Sequence, residues 1–263
     1  MAHQPLSQFA CTEFTILLNR YKCERPKPQR ELDQFFAKEH TVLKRVQRIA
    51  ELTHFAKKRI LFLGDDDVTS IALALLYKTQ TITVIDIDKK LLGYIQHIAT
   101  NEKLDIQCIE HDLRNPLQRS QLCGYDIIFF DPPYTPQAVH TWLLRALEAS
   151  IGKGTNKARK NPKLLAQKYY LLCYGYTDQS TERGLKIQKI ITDLGLIIQE
   201  KIRGFNAYYE AKSIGSKSDL YILQPTSRIN IRQLDQHRTA FYTQGLSPNT
   251  LSSVKNENFE RKN

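Results

Sequence analysis

Four short apolar runs, each closing on acidic residues and each followed by a segment of different character, constrain this chain most. RILFLG ends at Gly64 and leads into Asp65, Asp66 and Asp67; TITVIDID ends on Asp86 and Asp88. IQCIEHD ends on His111 and Asp112, and YDIIFFDPPY ends on Asp131, Pro132, Pro133 and Tyr134. Nearly continuous apolar runs of this length fit parallel strands covered on both faces. Between and after them, VTSIALALLYK, KKLLGYIQHIATNE and AVHTWLLRALEAS carry helical spacing, with Leu91, Leu92, Ile95 and Ile98 on one face of the second. KYYLLCYG is a further strand, and ERGLKIQKIITDLG is a helix closed by Gly195 at its C′ position. IIQEKIRGFNAYYEAKSIGSKSDLYILQ reads as strand, loop and strand. Alternating strands and helices predict an α/β fold: a doubly wound sheet, mostly parallel, with an antiparallel edge strand.

This core occupies residues 59–227. Residues 1–58 are a helical and linker extension. Phe9 to Leu18 is periodic, Pro26 and Pro28 break the chain, and Val42, Leu43, Val46, Ile49, Ala50 and Leu52 mark an amphipathic helix. Residues 228–263 form a basic tail, expected to be disordered from Ser247. GKGTNKARKNPK, residues 152–163, is expected to be a mobile surface loop.

The net charge is +11, but it is unevenly spread. Residues 61–150 hold 7 Lys+Arg against 12 Asp+Glu, whereas residues 1–60 hold 12 against 6. An acidic centre in a basic shell suits a cationic ligand held locally. The basic flanks read as solvated surface, or as weak nucleic-acid contacts. Five cysteines without C-x-x-C spacing read as reduced thiols in a cytoplasmic protein. The first residues carry no secretory pattern, and no apolar stretch is long enough to span a membrane. No metal site is read: His111 beside Asp112 fits a turn better than a ligand set.

In open α/β sheets ligands sit beyond the carboxyl ends of the strands, where these acids fall. One such acid would be a helix cap or turn residue; four at successive strand ends suggest a site. Asp86 lies 22 residues after Gly64, where an acid accepts ribose hydroxyls. Asp112, at the next strand end, can accept from an adenine amine. Together they describe an adenosine site on a Rossmann-like, methyltransferase-type sheet. The first loop departs from a glycine-rich pattern: Gly64 is followed by three aspartates. Three carboxylates repel a pyrophosphate and fit poorly with the carboxylate of S-adenosylmethionine. They suit decarboxylated S-adenosylmethionine, whose chain ends in an ammonium. DPPY supplies acceptors aimed at one nitrogen, with Tyr134 as a face for stacking or for a cation.

These residues resemble the branched-chain polyamine synthases, also called bis-aminopropyl spermidine synthases. The resemblance rests on RPKPQRELDQFF, ILFLGDDDVTSIALAL, ITVIDIDKKLL, EHDLRNPL, YDIIFFDPPYTPQAV, DLGLIIQEKIRGFNAYY and IGSKSDLYIL, in order from about Arg25 to Gln224. It implies aminopropyl transfer from decarboxylated S-adenosylmethionine to a secondary amine of a polyamine such as spermidine, releasing methylthioadenosine. Asp66 is then the carboxylate nearest the reacting amine, with Asp65 and Asp67 as alternates. Asp131 holds the same nitrogen or the aminopropyl ammonium, beside Pro132 and Tyr134. Gly64, Asp67, Asp86 and Asp112 bind the donor. Longer members carry an additional N-terminal domain, where only about 25 residues precede the match here. A homodimer is an allowed assembly.

Two other readings stand beside it. DPPY also marks methyltransferases that use S-adenosylmethionine on amino groups, and the basic flanks fit a nucleic-acid substrate. A non-catalytic relative that binds polyamine or nucleic acid on the same fold is the third.

Overall fold

The computed structural model describes residues 8–53, 57–78, 80–117, 122–152, 159–209, 216–231 and 241–242. The loop expected at 152–163 lies partly outside them, at 153–158, as does the tail from Ser247.

Seven strands form one sheet in the order β3-β2-β1-β4-β5-β7-β6. They are β1 (Arg59–Leu63), β2 (Thr81–Asp86), β3 (Ile106–Glu110), β4 (Ile127–Phe130), β5 (Tyr169–Tyr174), β6 (Leu196–Ala207) and β7 (Lys217–Pro225). The first five pair in parallel, and β7 runs antiparallel to both β5 and β6. This is the mostly parallel, doubly wound sheet with an antiparallel edge that the alternation predicts. All four residues of β4 are buried, as its uninterrupted apolar sequence requires.

The helices are α1 (Gln8–Tyr21), α2 (Glu39–Leu52), α3 (Thr69–Leu76), α4 (Lys89–Asn101), α5 (Pro136–Ile151), the single turn α6 (Pro162–Leu165) and α7 (Thr181–Asp193). Asp88 caps α4 and Thr135 caps α5, whose first residue, Pro136, is pre-set for a helical start. Helix α7 ends at Gly195, which takes φ +74°. A side chain there would also meet the carbonyl of Arg228 at 2.4 Å, so glycine is required twice over. Among the described residues, no helix is long and apolar enough to cross a membrane.

The segment before β1 shares the core of the sheet. Phe14, Leu17, Val46 and Ile49 lie in one buried cluster with Phe62 and Phe129. Each fully buried side chain of this kind contributes about 1.5–3 kcal/mol. Main-chain bonds tie the same segment to the far edge: Lys38 donates to the Ala207 carbonyl at 2.8 Å, and Tyr209 to that of Phe36 at 3.0 Å. Strand order reverses between β1 and β4, and that switch point opens the crevice where ligands bind in such sheets.

Candidate active site

The crevice is a cleft of about 570 Å³, its mouth included, at the carboxyl ends of β1, β2, β3 and β4. Among the described residues its walls carry five carboxylates, from Asp33, Asp66, Asp86, Asp112 and Asp131, and no Lys or Arg. Gly64, Pro133, Trp142 and Tyr242 are among the remaining lining residues. Strand-end geometry alone brings four of the five acids together, because parallel strands present their ends on one side of the sheet.

The first loop sends its three aspartates in three directions. Gly64 takes φ +77°, the left-handed region open to glycine. Val68 is buried and also left-handed, at φ 54°, a strained choice for a β-branched residue that closes a tight turn. Asp65 turns into the start of α3 and accepts from the backbone N–H of Thr69 at 2.8 Å and of Ser70 at 3.0 Å. Burial pushes its carboxyl up to about 7. Asp67 is 3% exposed and accepts from Arg45 Nη1 at 2.6 Å and from the backbone N–H of Ala37. Asp66 alone of the three faces the cleft. Its carbonyl accepts from Arg25 Nη2 at 2.7 Å, and among the described residues no ion pair engages its carboxylate. Burial, with Asp67, Asp131 and Asp86 as negative neighbours, holds that carboxyl well above the ordinary range.

At the second strand end, Asp86 accepts from the backbone N–H of Asp88 at 2.8 Å. Burial pushes it up to about 6. A Cβ built on Gly64 would lie 3.8 Å from its Oδ2, so the two positions that sequence spacing linked adjoin in space. Asp112 accepts from Arg114 through both oxygens, Nη2 lying at 2.7 Å from Oδ2. Burial tends to raise it, but the Arg114 contacts outweigh this and hold it below the ordinary range. His111 completes the turn, its ring against the Asn115 carbonyl at 3.1 Å.

At the fourth strand end, Asp131 Oδ2 accepts from Tyr208 Oη at 2.6 Å and Arg45 Nη2 at 2.8 Å. Its Oδ1 accepts from Tyr134 Oη at 3.3 Å. Burial raises Asp131 to about 6, although Arg45 works against it. Tyr134 is buried and packs on Tyr174 with ring centroids 5.7 Å apart, so its hydroxyl rather than an open ring face serves the site. Pro132 is buried, and it is Pro133 that reaches the cleft. The structure thus gathers Gly64, Asp66, Asp86, Asp112 and Asp131 at the cleft. Asp65, Asp67, Pro132 and Tyr134 stand behind it.

Several site residues lie outside what spacing could reveal. Residues 25–36 strap across the cleft mouth. Gln29 and Gln34 donate to Asp88 Oδ2 at 2.5 and 3.2 Å, which brings Asp33 and Gln34 to the rim. Trp142 Nε1 donates to the Leu63 carbonyl at 3.2 Å, fixing the indole in the wall. Arg45 sits among the apolar positions of α2, between Val42 and Ile49. A cation interrupting an otherwise apolar stripe was the available signal.

Fold and site together define a Rossmann-like, methyltransferase-type α/β protein whose switch-point cleft is acidic. The chain belongs to the branched-chain polyamine synthases: residues 17–242 match the family model for the branched-chain polyamine synthase A C-terminal domain. It is 34% identical over 201 residues to N(4)-bis(aminopropyl)spermidine synthase of Methanocaldococcus jannaschii, covering 73% of this chain and 53% of that protein. An uncharacterised protein of the same organism is 35% identical over 204 residues, covering 76% of this chain and 48% of that one. The chain spans about half the length of the curated relatives it matches. Its fold superposes on the branched-chain polyamine synthase from Thermus thermophilus with a TM-score of 0.68 and 23% identity, over 85% of this chain and 65% of that one. That structure is a complex with N4-aminopropylspermidine and 5'-methylthioadenosine.

Proposed function

We propose that this chain is the catalytic domain of an aminopropyltransferase, using decarboxylated S-adenosylmethionine and a linear polyamine such as spermidine. The observation that carries the reading is the cleft wall: among the described residues, five aspartates and no Lys or Arg, within a chain of net charge +11. A further negative charge within about 4 Å of one such carboxylate is opposed by about 4 kcal/mol at an effective dielectric constant of about 20. A donor bearing its own carboxylate therefore fits poorly. One ending in an ammonium and carrying a sulfonium fits the charge of every wall.

Asp86 is placed to accept from ribose hydroxyls, and Asp112, steadied by Arg114, from the adenine amine. Asp131 holds an amine nitrogen through the carboxylate that Tyr208 and Arg45 fix in place. Asp66 takes the proton that the secondary ammonium must lose to free the nitrogen lone pair. Nitrogen then bonds the propyl carbon next to sulfur, the carbon–sulfur bond breaks, and its electron pair stays with methylthioadenosine. In the ligand-free cleft, burial and its negative neighbours favour the protonated form of Asp66, so it becomes an acceptor as those charges are offset. An entering polycation counteracts the same negative neighbours that raise it.

The deciding assay supplies each donor separately, with spermidine or with RNA, and follows methylthioadenosine and the branched product. Release from the decarboxylated donor with spermidine is the expected result. Methyl transfer from S-adenosylmethionine to nucleic acid, with no methylthioadenosine, would overturn the reading. The same assay with the longest available form of the protein measures what any additional domain contributes.

A further inference from the structure

Arg45 is a buried cation on α2, 1% exposed, in the middle of the acidic turn. Its guanidinium donates to four partners, the weakest contact running from Nη2 to Tyr208 Oη at 3.3 Å. Nη1 binds Asp67 at 2.6 Å, Nη2 binds Asp131 at 2.8 Å, and Nε binds Asn206 Oδ1 at 2.8 Å. Asn206 in turn donates to Ser218 Oγ at 3.0 Å, and Ser218 adjoins Tyr208 Oη at 2.8 Å. Elements far apart in sequence, α2, β6 and β7, therefore hold one charge in one place before any ligand arrives. Asp66, between Asp65 and Asp67 in the chain, receives none of these donors.

We propose that Arg45 is a positioning residue that keeps Asp131 as a carboxylate and so leaves Asp66 as the acid of this cluster that exchanges the substrate proton. The kinetic part of this statement rests on the aminopropyl-transfer reading; the protonation part does not. The argument is one of charge placement. Asp66, Asp67 and Asp131 lie close together in a buried space, where adjacent carboxylates cannot all ionise without compensation. One guanidinium touches Asp67 and Asp131 and leaves the Asp66 carboxylate without a cation. The planar fork also explains why arginine stands here: a lysine ammonium cannot meet Asp67, Asp131 and Asn206 with fixed directions.

The surrounding groups leave that role to Arg45. From β5, burial pushes the Cys173 thiol well up, and burial does the same to the Tyr134 and Tyr208 hydroxyls. These three stay neutral. Asp65 is held by amide donors at the start of α3, and Asp86 lies across the cleft on β2. From the strap, Arg25 reaches the Asp66 carbonyl rather than its carboxylate, and Asp33 adds a negative charge at the rim.

The test compares the wild type with Arg45→Lys and with the double variant Arg45→Met/Asp67→Asn. The double variant removes one charge of each sign, an exchange that buried ion pairs often tolerate. Carbon-13 NMR of labelled aspartate carboxyls is read at about pH 7.5, where an ordinary carboxylate is ionised. Both variants are expected to show one more protonated aspartate than the wild type, and that signal should vanish when Asp131→Asn is added. Methylthioadenosine release should fall roughly 100-fold, the low end of what a placed acid–base group supplies. The KM for polyamine should rise several-fold as well, because a neutral Asp131 no longer pairs with the amine nitrogen it holds. An Asp131 that stays ionised in both variants overturns the proposal. So does a double variant that melts normally and turns over at the wild-type rate. If the wild type itself releases no methylthioadenosine, the transfer reading falls, while the carboxyl spectra still decide the role of Arg45. If Arg45→Lys does not fold, the double variant decides alone.

Discussion

The two sides of the sheet contribute to the site in opposite ways. The parallel side, β3-β2-β1-β4, supplies four of the five acids, each at or just past the carboxyl end of a strand. The antiparallel side, β5-β7-β6 with α2 and the strap against it, supplies control. Arg45, Asn206 and Tyr208 come from this side, and each bond reaches an acid or another controller across a long sequence separation. Charge is thus a local product of strand ends, whereas the protonation of that charge is a tertiary product. If so, changes at the cleft acids should act on turnover with little cost to the fold, whereas changes on the control side should also act on stability and pH response.

The largest effect expected is on turnover, and it separates neighbours in one turn. Asp66→Asn should lower methylthioadenosine release about 10²–10⁴-fold, the usual contribution of general acid–base catalysis. Its melting temperature should hold or rise, because a buried carboxylate without a cation partner is removed. Asp65→Asn keeps an acceptable helix cap and should leave turnover within a few-fold. Equal losses from both would erase the distinction drawn between a cleft acid and a capping acid.

Where the two sides meet, Asp67→Ala leaves the buried Arg45 with half its compensation. A cost of about 3–5 kcal/mol follows, read from the urea midpoint. A cost under about 1 kcal/mol, as for an exposed pair, would mean that water reaches this network and that the pair controls nothing.

Strand-end logic made the parallel half legible. A run such as YDIIFFDPPY announces both a covered strand and the acid that follows it, and Asp86 lands beside Gly64 as the 22-residue spacing implies. What spacing cannot give is direction within a turn. Three consecutive aspartates look equivalent in sequence, yet the left-handed Val68 sends them to a helix cap, the cleft and an ion pair. Nor does periodicity assign a charged residue inside an apolar stripe, so α2 reads as a packing helix and Arg45 goes unseen. Strand β6 adds a further obstacle. Its register on β7 shifts twice, between Ile198 and Glu200 and between Ile202 and Asn206, and such bulges re-aim side chains without a sequence mark. Asn206 ends fully buried at that second shift.

The pH dependence of stability follows from the same crowding. Asp86 and Asp131 each rise to about 6 in the fold, above the unfolded value. The folded state then binds more protons than the unfolded state between roughly pH 4 and 6, so stability falls as pH rises through that window. Each group contributes at most about 3 kcal/mol, an order-of-magnitude figure, since one pKa unit is about 1.4 kcal/mol. The ligand-free protein should therefore melt higher at about pH 5 than at about pH 8, in spite of its basic net charge. Saturating spermidine should flatten the difference by stabilising the ionised acids. A ligand-free melting temperature that rises steadily with pH would show that the control side already neutralises the cleft without a ligand.

The smallest effect belongs to the outer end of the acid row. Asp112 is half-buried, and its partner Arg114 is also partly solvated, with side-chain exposures of 26% and 22%. Such a pair is worth about 1 kcal/mol or less to the fold. Arg114→Gln should thus barely move the melting temperature. It should instead loosen the carboxylate that the adenine amine would meet, weakening the affinity for 5'-methylthioadenosine by a few-fold in a calorimetric titration. Because Arg114 also holds Asp112 below the ordinary carboxylate range, the variant's loss of affinity should deepen as pH falls toward that range. Unchanged affinity at every pH would place the adenine elsewhere and confine the donor to Asp66, Asp86 and Asp131. A loss as large as that of Asp66→Asn would instead make this rim part of the chemistry.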